Sequence, residues 1–489
     1  MPIDSISVTF LGTAAGRPCT TRNVSSLVLK LDSKLWMVDA GEGTQHRLIE
    51  SDKHCKTKLA MSKIRRIFIT HMHADHVNGL PGLLATISAG DGIPQASTST
   101  GPQPTEPLPI EIYGPSGLRQ FLRVSLSLTQ TILSRPYTVH ELLFPDETPY
   151  DDNAKLHPSE RTGRDVRPDG EGFWREVVTA EEGGGVSVSA GPIQHTIRCL
   201  GYLFSESPRS LPIQPSLYIP HLRAPLNAAG LLASHGLKNP LSLLSLLQTN
   251  PEEEVVLADG TVLRAPGLDT KNGGRRVVVL GDTYDASGMV PLIRARLDSG
   301  TPSSTLVGSS VDDPMRVDLV VHESTNAYLP TLDDSQSPLK LNPVSGGDSS
   351  RLHTLSSVTS LARSHGHSTP QVAGSFARSV KASRLVLNHL SVKYPDPEAR
   401  ADTRGDGEGS AESREKWRRM LREIERQAEQ ALEGVEETDA DLLARASLSV
   451  EETGREEEAE AQGRRVVAAR DFMEIEIPRR DRVAGQKRK

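Results

Sequence analysis

Cysteine is nearly missing from this chain: Cys19, Cys55 and Cys199 are the only three in 489 residues. An odd number at unpaired spacings excludes a disulfide framework and a cysteine-based zinc knuckle, and a reducing compartment is the simplest expectation. Aromatic residues are scarce too, at 4%. Nowhere do roughly 18 apolar residues run on without a break, so no membrane helix is expected. The opening MPIDSISVTFLG enters an alternating strand pattern at once. It has neither an apolar signal core nor an Arg/Ser-rich leader, so neither secretion nor organelle import is expected.

A strong excess of one charge is lacking as well. The net charge is −7, and residues 398–489 hold 24 acidic and 19 basic side chains, so most of that excess lies there. The first 397 residues are close to neutral. A neutral body can still carry a basic patch, so the global sign excludes no nucleic-acid partner.

What the chain has in plenty is punctuation, with 40 Gly and 33 Pro. Between them, ISVTFLG, SSLVLKL, KLWMVDAGEG, IRRIFIT, IEIYGPSG, RRVVVLGDT, VDLVVHEST and SRLVLNHLS read as strands running into loops. GLPGLLATIS, SVTSLARSHG and PQVAGSFARSV read as helices, and VSVSAGPIQHTIRCLGYLF as a strand pair turning around Gly191 and Pro192. Residues 91–109, 145–185 and 330–350 are rich in Gly, Pro, Ser or charge and read as loop excursions. After Pro397 the spacing of Trp417, Met420, Leu421, Ile424, Ala428 and Leu432 predicts one amphipathic helix in a charged extension. Its simplest role is a solvated or self-associating helix. The basic ending RRDRVAGQKRK fits a solvated tail or a nuclear-localisation patch.

The chemistry concentrates in FITHMHADHVNGLPG. His71, His73, Asp75 and His76 fall within six positions directly after a strand. Alternating His-x-His puts two imidazoles on one side of an extended loop, with Asp75 and His76 reaching beyond them. Such a cluster suits two adjacent sites with nitrogen and oxygen ligands, for zinc first and Mn or Fe as alternatives. Two metals need further ligands, and His195, Asp282 and His389 stand where strands run into loops. His46, His54, His140, His157, His221, His235 and His353 lack that context.

With these residues in place, the sequence resembles the metallo-β-lactamase superfamily, and within it the ribonuclease Z family of tRNA 3′-end endonucleases. The likeness spans residues 6–395 with gaps. It rests, in order, on FLGTAAGRPCTTRNVSSLVL, VDAGEGTQHRL, THMHADHVNGLPGLL, IYGPSGL, HTIRCLGYLF, LGDT, HESTNAYL, GHSTPQVA and LNHLSVKY. The histidine motif marks the superfamily, whereas GEGTQ, HEST and GHST are specific to ribonuclease Z. The resemblance implies an α/β fold, a four-layer αβ/βα sandwich with inserted loops and a charged helical or disordered C-terminal tail. It divides the chain into a nuclease domain at 1–397 and an extension at 398–489.

The resemblance also implies a site. His71, His73 and His195 would hold one zinc, Asp75, His76 and His389 a second, and Asp282 would bridge both, with Mn the alternative metal. Asp75, Glu323 and His367 are the catalytic residues it implies, Glu323 orienting the imidazole that protonates the leaving 3′-oxygen. Asp39 would support the metal loop, and His322 and His365 would be structural. Expected partners are precursor tRNA and a second copy of the chain in a homodimer, acting in the nucleus and/or cytoplasm, with no membrane. Two features depart from the family. Thr20 replaces the Lys of its Pro-x-Lys-x-Arg-Asn loop, which leaves discrimination against CCA-bearing substrates open. The segment 205–276 has the length of a tRNA-gripping arm but is leucine-rich and then acidic, with Arg209, Arg223, Lys238, Arg264, Lys271, Arg275 and Arg276 as its phosphate contacts. Two other readings remain: a phosphodiesterase or sulfatase-like hydrolase on the same scaffold, and a non-catalytic RNA-binding protein. The full ligand set speaks against the latter.

Overall fold

The computed structural model describes residues 3–90, 108–149, 155–222, 241–249, 254–257, 260–269, 273–295, 316–333, 336, 353–399, 411–445 and 464–480. Apolar, β-branched runs joined by tight turns build two sheets. The nine-stranded sheet begins with the antiparallel strands Ile6–Gly12, Ser26–Leu31 and Lys34–Val38. Parallel strands Ile64–Phe68, Ile110–Pro115 and Tyr137–Leu142 continue it. The seven-stranded sheet carries Trp174–Val178, Val186–Ile193, Cys199–Glu206, Arg276–Leu280, Leu319–Glu323, Leu385–Asn388 and Val466–Ala468 in spatial order.

The inner faces of both sheets share one core. Trp36, Phe68 and Tyr113 from the first sheet meet Tyr202, Phe204, Val277, Val321 and Val386 from the second. Helices Thr44–His54, Leu80–Gly90 and Leu118–Leu128 cover the outside of the first sheet. Helices Val290–Arg294, Pro370–Ser379 and Ala411–Glu433 cover the second. The result is the four-layer αβ/βα sandwich. Trp36 has no solvent exposure, and its ring lies 5.9 Å from Phe68 and 6.2 Å from Phe204. Trp36→Ala should therefore cost about 3–5 kcal/mol, read as a lower urea midpoint with an unchanged denaturant slope.

Several expectations are corrected. Gly191 and Pro192 do not form a turn: the strand runs through them to Ile193, and the reversal comes at residues 194–198. A Cβ on Gly191 would meet Met289 Cγ at 2.8 Å, and one on Gly201 would meet Met289 Sδ at 2.2 Å. These glycines make room for a buried methionine rather than bend the chain. The polar stretch expected as a loop at 145–185 contains the edge strand Trp174–Val178, because Trp174, Val177 and Val178 enter the shared core.

The chain after Pro397 is woven into the sandwich. Helix Ala411–Glu433 lays Met420, Leu421, Ile424 and Ala428 against helix Pro370–Ser379, so its apolar stripe is covered within the molecule. The helices approach closely, since a Cβ on Gly374 would lie 2.1 Å from the Ala428 carbonyl oxygen. Strand Val466–Ala468 then pairs parallel with Leu385–Asn388, and Glu474–Ile477 pairs antiparallel with Ile6–Thr9. One short segment thus completes an edge of each sheet.

Within 205–276, helices Pro215–Leu222 and Ser242–Thr249 and the hairpin Glu254–Val256/Val262–Arg264 enclose a separate small core of Leu222, Leu243, Leu247, Val255 and Leu263. Its cations are largely spoken for. Arg275 is 2% exposed and bonded to Glu206, and Arg276 is 6% exposed and donates to the Ile293 carbonyl. Arg209 binds Glu206 and the Ile3 carbonyl, and Arg264 pairs with Glu254. Arg223, Lys238 and Lys271 lie outside the described residues.

Candidate metal centre

Every ligand expected from the sequence sits just beyond a strand end, where backbone pairing stops and side chains turn into a common space. His71 follows Ile64–Phe68, and His73 starts the short helix Ala74–Val77 that holds Asp75 and His76. His195 follows Val186–Ile193, Asp282 follows Arg276–Leu280, and His389 follows Leu385–Asn388. The fold brings these seven together as two groups that share one carboxylate. His71, His73, His195 and Asp282 form the first, and Asp75, His76, His389 and Asp282 the second. Within each group the ligand atoms lie within 4.8 Å of one another.

The outward ring nitrogens fix how each imidazole faces. His76 Nδ1–H donates to Asp39 Oδ2 at 2.7 Å, and His195 Nδ1–H donates to the Gly366 carbonyl at 2.7 Å. His71 Nδ1–H donates to Thr70 Oγ1 at 3.0 Å, whose hydroxyl donates to Asp39 Oδ2 at 2.9 Å. The second group repeats the device. His389 Nδ1–H donates to Thr325 Oγ1 at 3.1 Å, and that hydroxyl donates to Glu323 Oε2 at 2.6 Å. These partners assign the tautomers, and four Nε2 lone pairs are left pointing inward.

His73 is turned the other way, with Nδ1 3.1 Å from His71 Nε2 and 3.2 Å from His195 Nε2. His76 and His389 bring their Nε2 atoms to 3.3 Å, and Asp282 lies 3.2 Å from His389 and 3.4 Å from His76. Inward lone pairs this close repel unless a proton or a metal cation lies between them. The donor set of imidazole nitrogens and carboxylate oxygens fits zinc.

The electrostatics divide the imidazoles: burial lowers His76, but Asp282 and Asp39 hold it well above the usual imidazole range, whereas three others move down. Burial pushes His71, His73 and His195 down, and neighbouring imidazoles add to it, which favours the neutral ligand form. Burial opposes ionisation of Asp282, yet His389, His76 and His71 hold it well below the usual carboxylate range. Burial pushes Asp75 up too, but the hydrogen bond with His389 and the charges of His76 and His389 together hold it below the usual carboxylate range. Asp39 and His389 both adopt left-handed backbone, with φ of 60° and 51°. Such strain costs on the order of 1–3 kcal/mol in a non-glycine residue and concentrates where geometry is over-determined.

Beside this centre lies the expected carboxylate–imidazole pair. Glu323, 2% exposed, ends its strand with both oxygens engaged. Oε1 accepts from Thr283 N–H at 2.5 Å and from His367 Nδ1–H at 3.1 Å. Oε2 accepts from the Thr325 hydroxyl and from Ser368 N–H at 3.1 Å. Burial lowers the His367 value, but the hydrogen bond and charge of Glu323, with Asp282 and Asp75, raise it to about 9. His367 sits in the turn between helices Leu355–Ser364 and Pro370–Ser379, and its Nδ1 is 3.9 Å from Asp282. His322 is buried with Nδ1 on the Glu323 carbonyl, and His365 is exposed, so neither joins the centre.

Among the participants not foreseen are Thr70, Thr325 and the Gly366 carbonyl. The first two are faintly visible in the sequence as threonines beside His71 and Glu323. The third is visible only as the glycine of GHST, whose φ of 83° a side chain would strain.

This sandwich and its Asp282-centred pair of donor groups define a hydrolase of the metallo-β-lactamase fold. The family described as "Anti-Pycsar protein Apyc1" matches residues 6–89. Zinc phosphodiesterase ELAC protein 1 of Bos taurus is 34% identical over 400 residues, covering 80% of this chain and 87% of the relative. Ribonuclease Z of Streptococcus thermophilus is 31% identical over 389 residues, covering 79% and 89%. The crystal structure of human tRNase Z, short form, aligns with a TM-score of 0.44 at 28% identity, covering 79% and 93%. The chain belongs to the ribonuclease Z family, with the ELAC protein 1 zinc phosphodiesterases among its members.

Proposed function

We propose that this protein is a zinc-dependent endoribonuclease that removes 3′ trailers from precursor tRNAs and leaves a 3′-hydroxyl on the tRNA. The observation that carries it is Asp282 standing in both donor groups while the Glu323–His367 pair flanks it. Family membership narrows the substrate. His71, His73 and His195 would hold one zinc and Asp75, His76 and His389 another, with Asp282 common to both and Mn the alternative. Bound there, such cations supply Lewis-acid stabilisation of a phosphodiester and activation of water.

The chain's own groups account for the rest. As water attacks phosphorus, the P–O3′ bond breaks and the phosphate stays on the trailer. The departing 3′-oxygen takes its proton from His367 Nε2, because Nδ1 is committed to Glu323. Glu323 keeps that imidazole charged and aimed. Thr325 ties the same carboxylate to His389, so one buried group orients both the acid and a ligand.

A homodimer, and action in the nucleus and/or cytoplasm, complete this reading; sedimentation of the zinc-loaded protein tests the first. A phosphodiesterase-type hydrolase on the same scaffold is the second reading. It is favoured by the arm segment, whose described arginines are mostly engaged within the protein. Incubation with pre-tRNA, with and without a 3′-terminal CCA, separates the two. Cleavage at the trailer junction should cease on chelation and return with zinc. Turnover of bis(p-nitrophenyl) phosphate without any pre-tRNA cleavage would refute the tRNA assignment.

A further inference from the structure

Asp471 lies far along the chain from every motif of the site, in the strap that crosses from Val466–Ala468 in one sheet to Glu474–Ile477 in the other. Its side chain is 4% exposed and saturated with donors. Oδ1 accepts from the Thr13 hydroxyl at 2.7 Å, and Oδ2 accepts from Asn23 N–H at 2.7 Å and Arg47 Nη2 at 2.6 Å. Arg22, 1% exposed, donates to the same Thr13 hydroxyl at 2.7 Å and to the Ala469 carbonyl at 2.6 Å. Both ends of the loop 13–23 are thus fastened to the strap.

What the loop then touches is one half of the centre. Gly16 N–H donates to Asp75 Oδ2 at 2.8 Å, the oxygen that lies 3.2 Å from His389 Nε2. Thr13 and Ala15 bracket the residue after His389: Leu390 N–H donates to the Thr13 carbonyl at 2.8 Å, and Ala15 N–H to the Leu390 carbonyl at 3.0 Å. The other half is held by other means, through Thr70 and Gly366.

We infer that Asp471 is a positioning residue which, through Thr13 and the loop 13–23, sets Asp75 and His389 and so governs metal retention in the Asp75–His76–His389 half alone. The inference rests on the two-zinc reading above. A partner bonded directly to a metal ligand changes metal affinity by roughly 10–100-fold when removed, and Asp471 acts one link further out, through the loop 13–23.

Zinc uptake by the full-length apoprotein against a competing chelator tests it, with Asp471→Asn and Thr13→Val as variants. The wild type should load zinc in two phases. Both variants should weaken one phase by roughly 10-fold, the lower end of what direct partners of ligands contribute, and leave the other unchanged. Added zinc should restore pre-tRNA cleavage by the variants, a rescue that a merely damaged fold would not show. His195→Ala should weaken the phase that Asp471→Asn spares. Unchanged phases in both variants would overturn the inference. So would an equal fall in both phases accompanied by a lower melting temperature of the apoprotein. A wild type that loads zinc in two phases yet leaves pre-tRNA intact would sink the tRNA reading alone.

Discussion

Replacing Asp282 by alanine should lower the turnover number by about 10^3-fold or more, a loss on the order of 4 kcal/mol of transition-state stabilisation. No other carboxylate belongs to both donor groups, so its removal weakens both halves of the centre at once. Loss of any single imidazole leaves one group whole. The defect should appear equally with pre-tRNA and with bis(p-nitrophenyl) phosphate, because it strikes the attack on phosphorus rather than RNA recognition. Binding of pre-tRNA, followed by gel shift, should remain measurable. Activity within tenfold of wild type on either substrate would remove Asp282 from the centre.

His367→Ala should behave differently on the two substrates. Cleavage of pre-tRNA should fall roughly 10^2–10^4-fold, the usual contribution of a positioned acid. Turnover of bis(p-nitrophenyl) phosphate should fall far less, since p-nitrophenolate departs without a proton. Only the protonated imidazole can serve, and with its value raised to about 9 that form is present at neutral pH and is lost as pH rises through that range. Glu323 is the leading cause of the rise, so Glu323→Gln should move the alkaline limb of kcat to lower pH. An equal loss on both substrates, or an alkaline limb untouched by Glu323→Gln, would make the histidine a structural cap of helix Pro370–Ser379.

The site was legible where its chemistry is compressed into a few positions. His71, His73, Asp75 and His76 occupy six positions because one loop must reach both donor groups, and that density has no structural substitute. His195, Asp282 and His389 are isolated in sequence and became readable only through a shared context, a buried strand stopping at a polar residue. Thr70 and Thr325 stand beside residues the sequence singles out, but their roles were not readable, since a threonine looks the same whether it relays a proton donor or faces water. Its role here depends on a carboxylate that reaches it only after folding. The chain beyond residue 397 hid its part for another reason. Strands of three and four residues show too few alternations to stand out among charged neighbours, and their pairing partners lie far upstream.

The pairing of Ile6–Thr9 with Glu474–Ile477 joins the first strand among the described residues to the last. During synthesis at roughly 5–20 residues per second, the first strand emerges well before its outer neighbour exists. Until then one edge of each sheet has open backbone donors and acceptors, and loop 13–23 lacks the carboxylate that fastens it. A nascent chain is therefore held short of a finished catalytic centre until residues 466–477 have been translated. Chains that stop before residue 466 should be inert rather than unregulated nucleases.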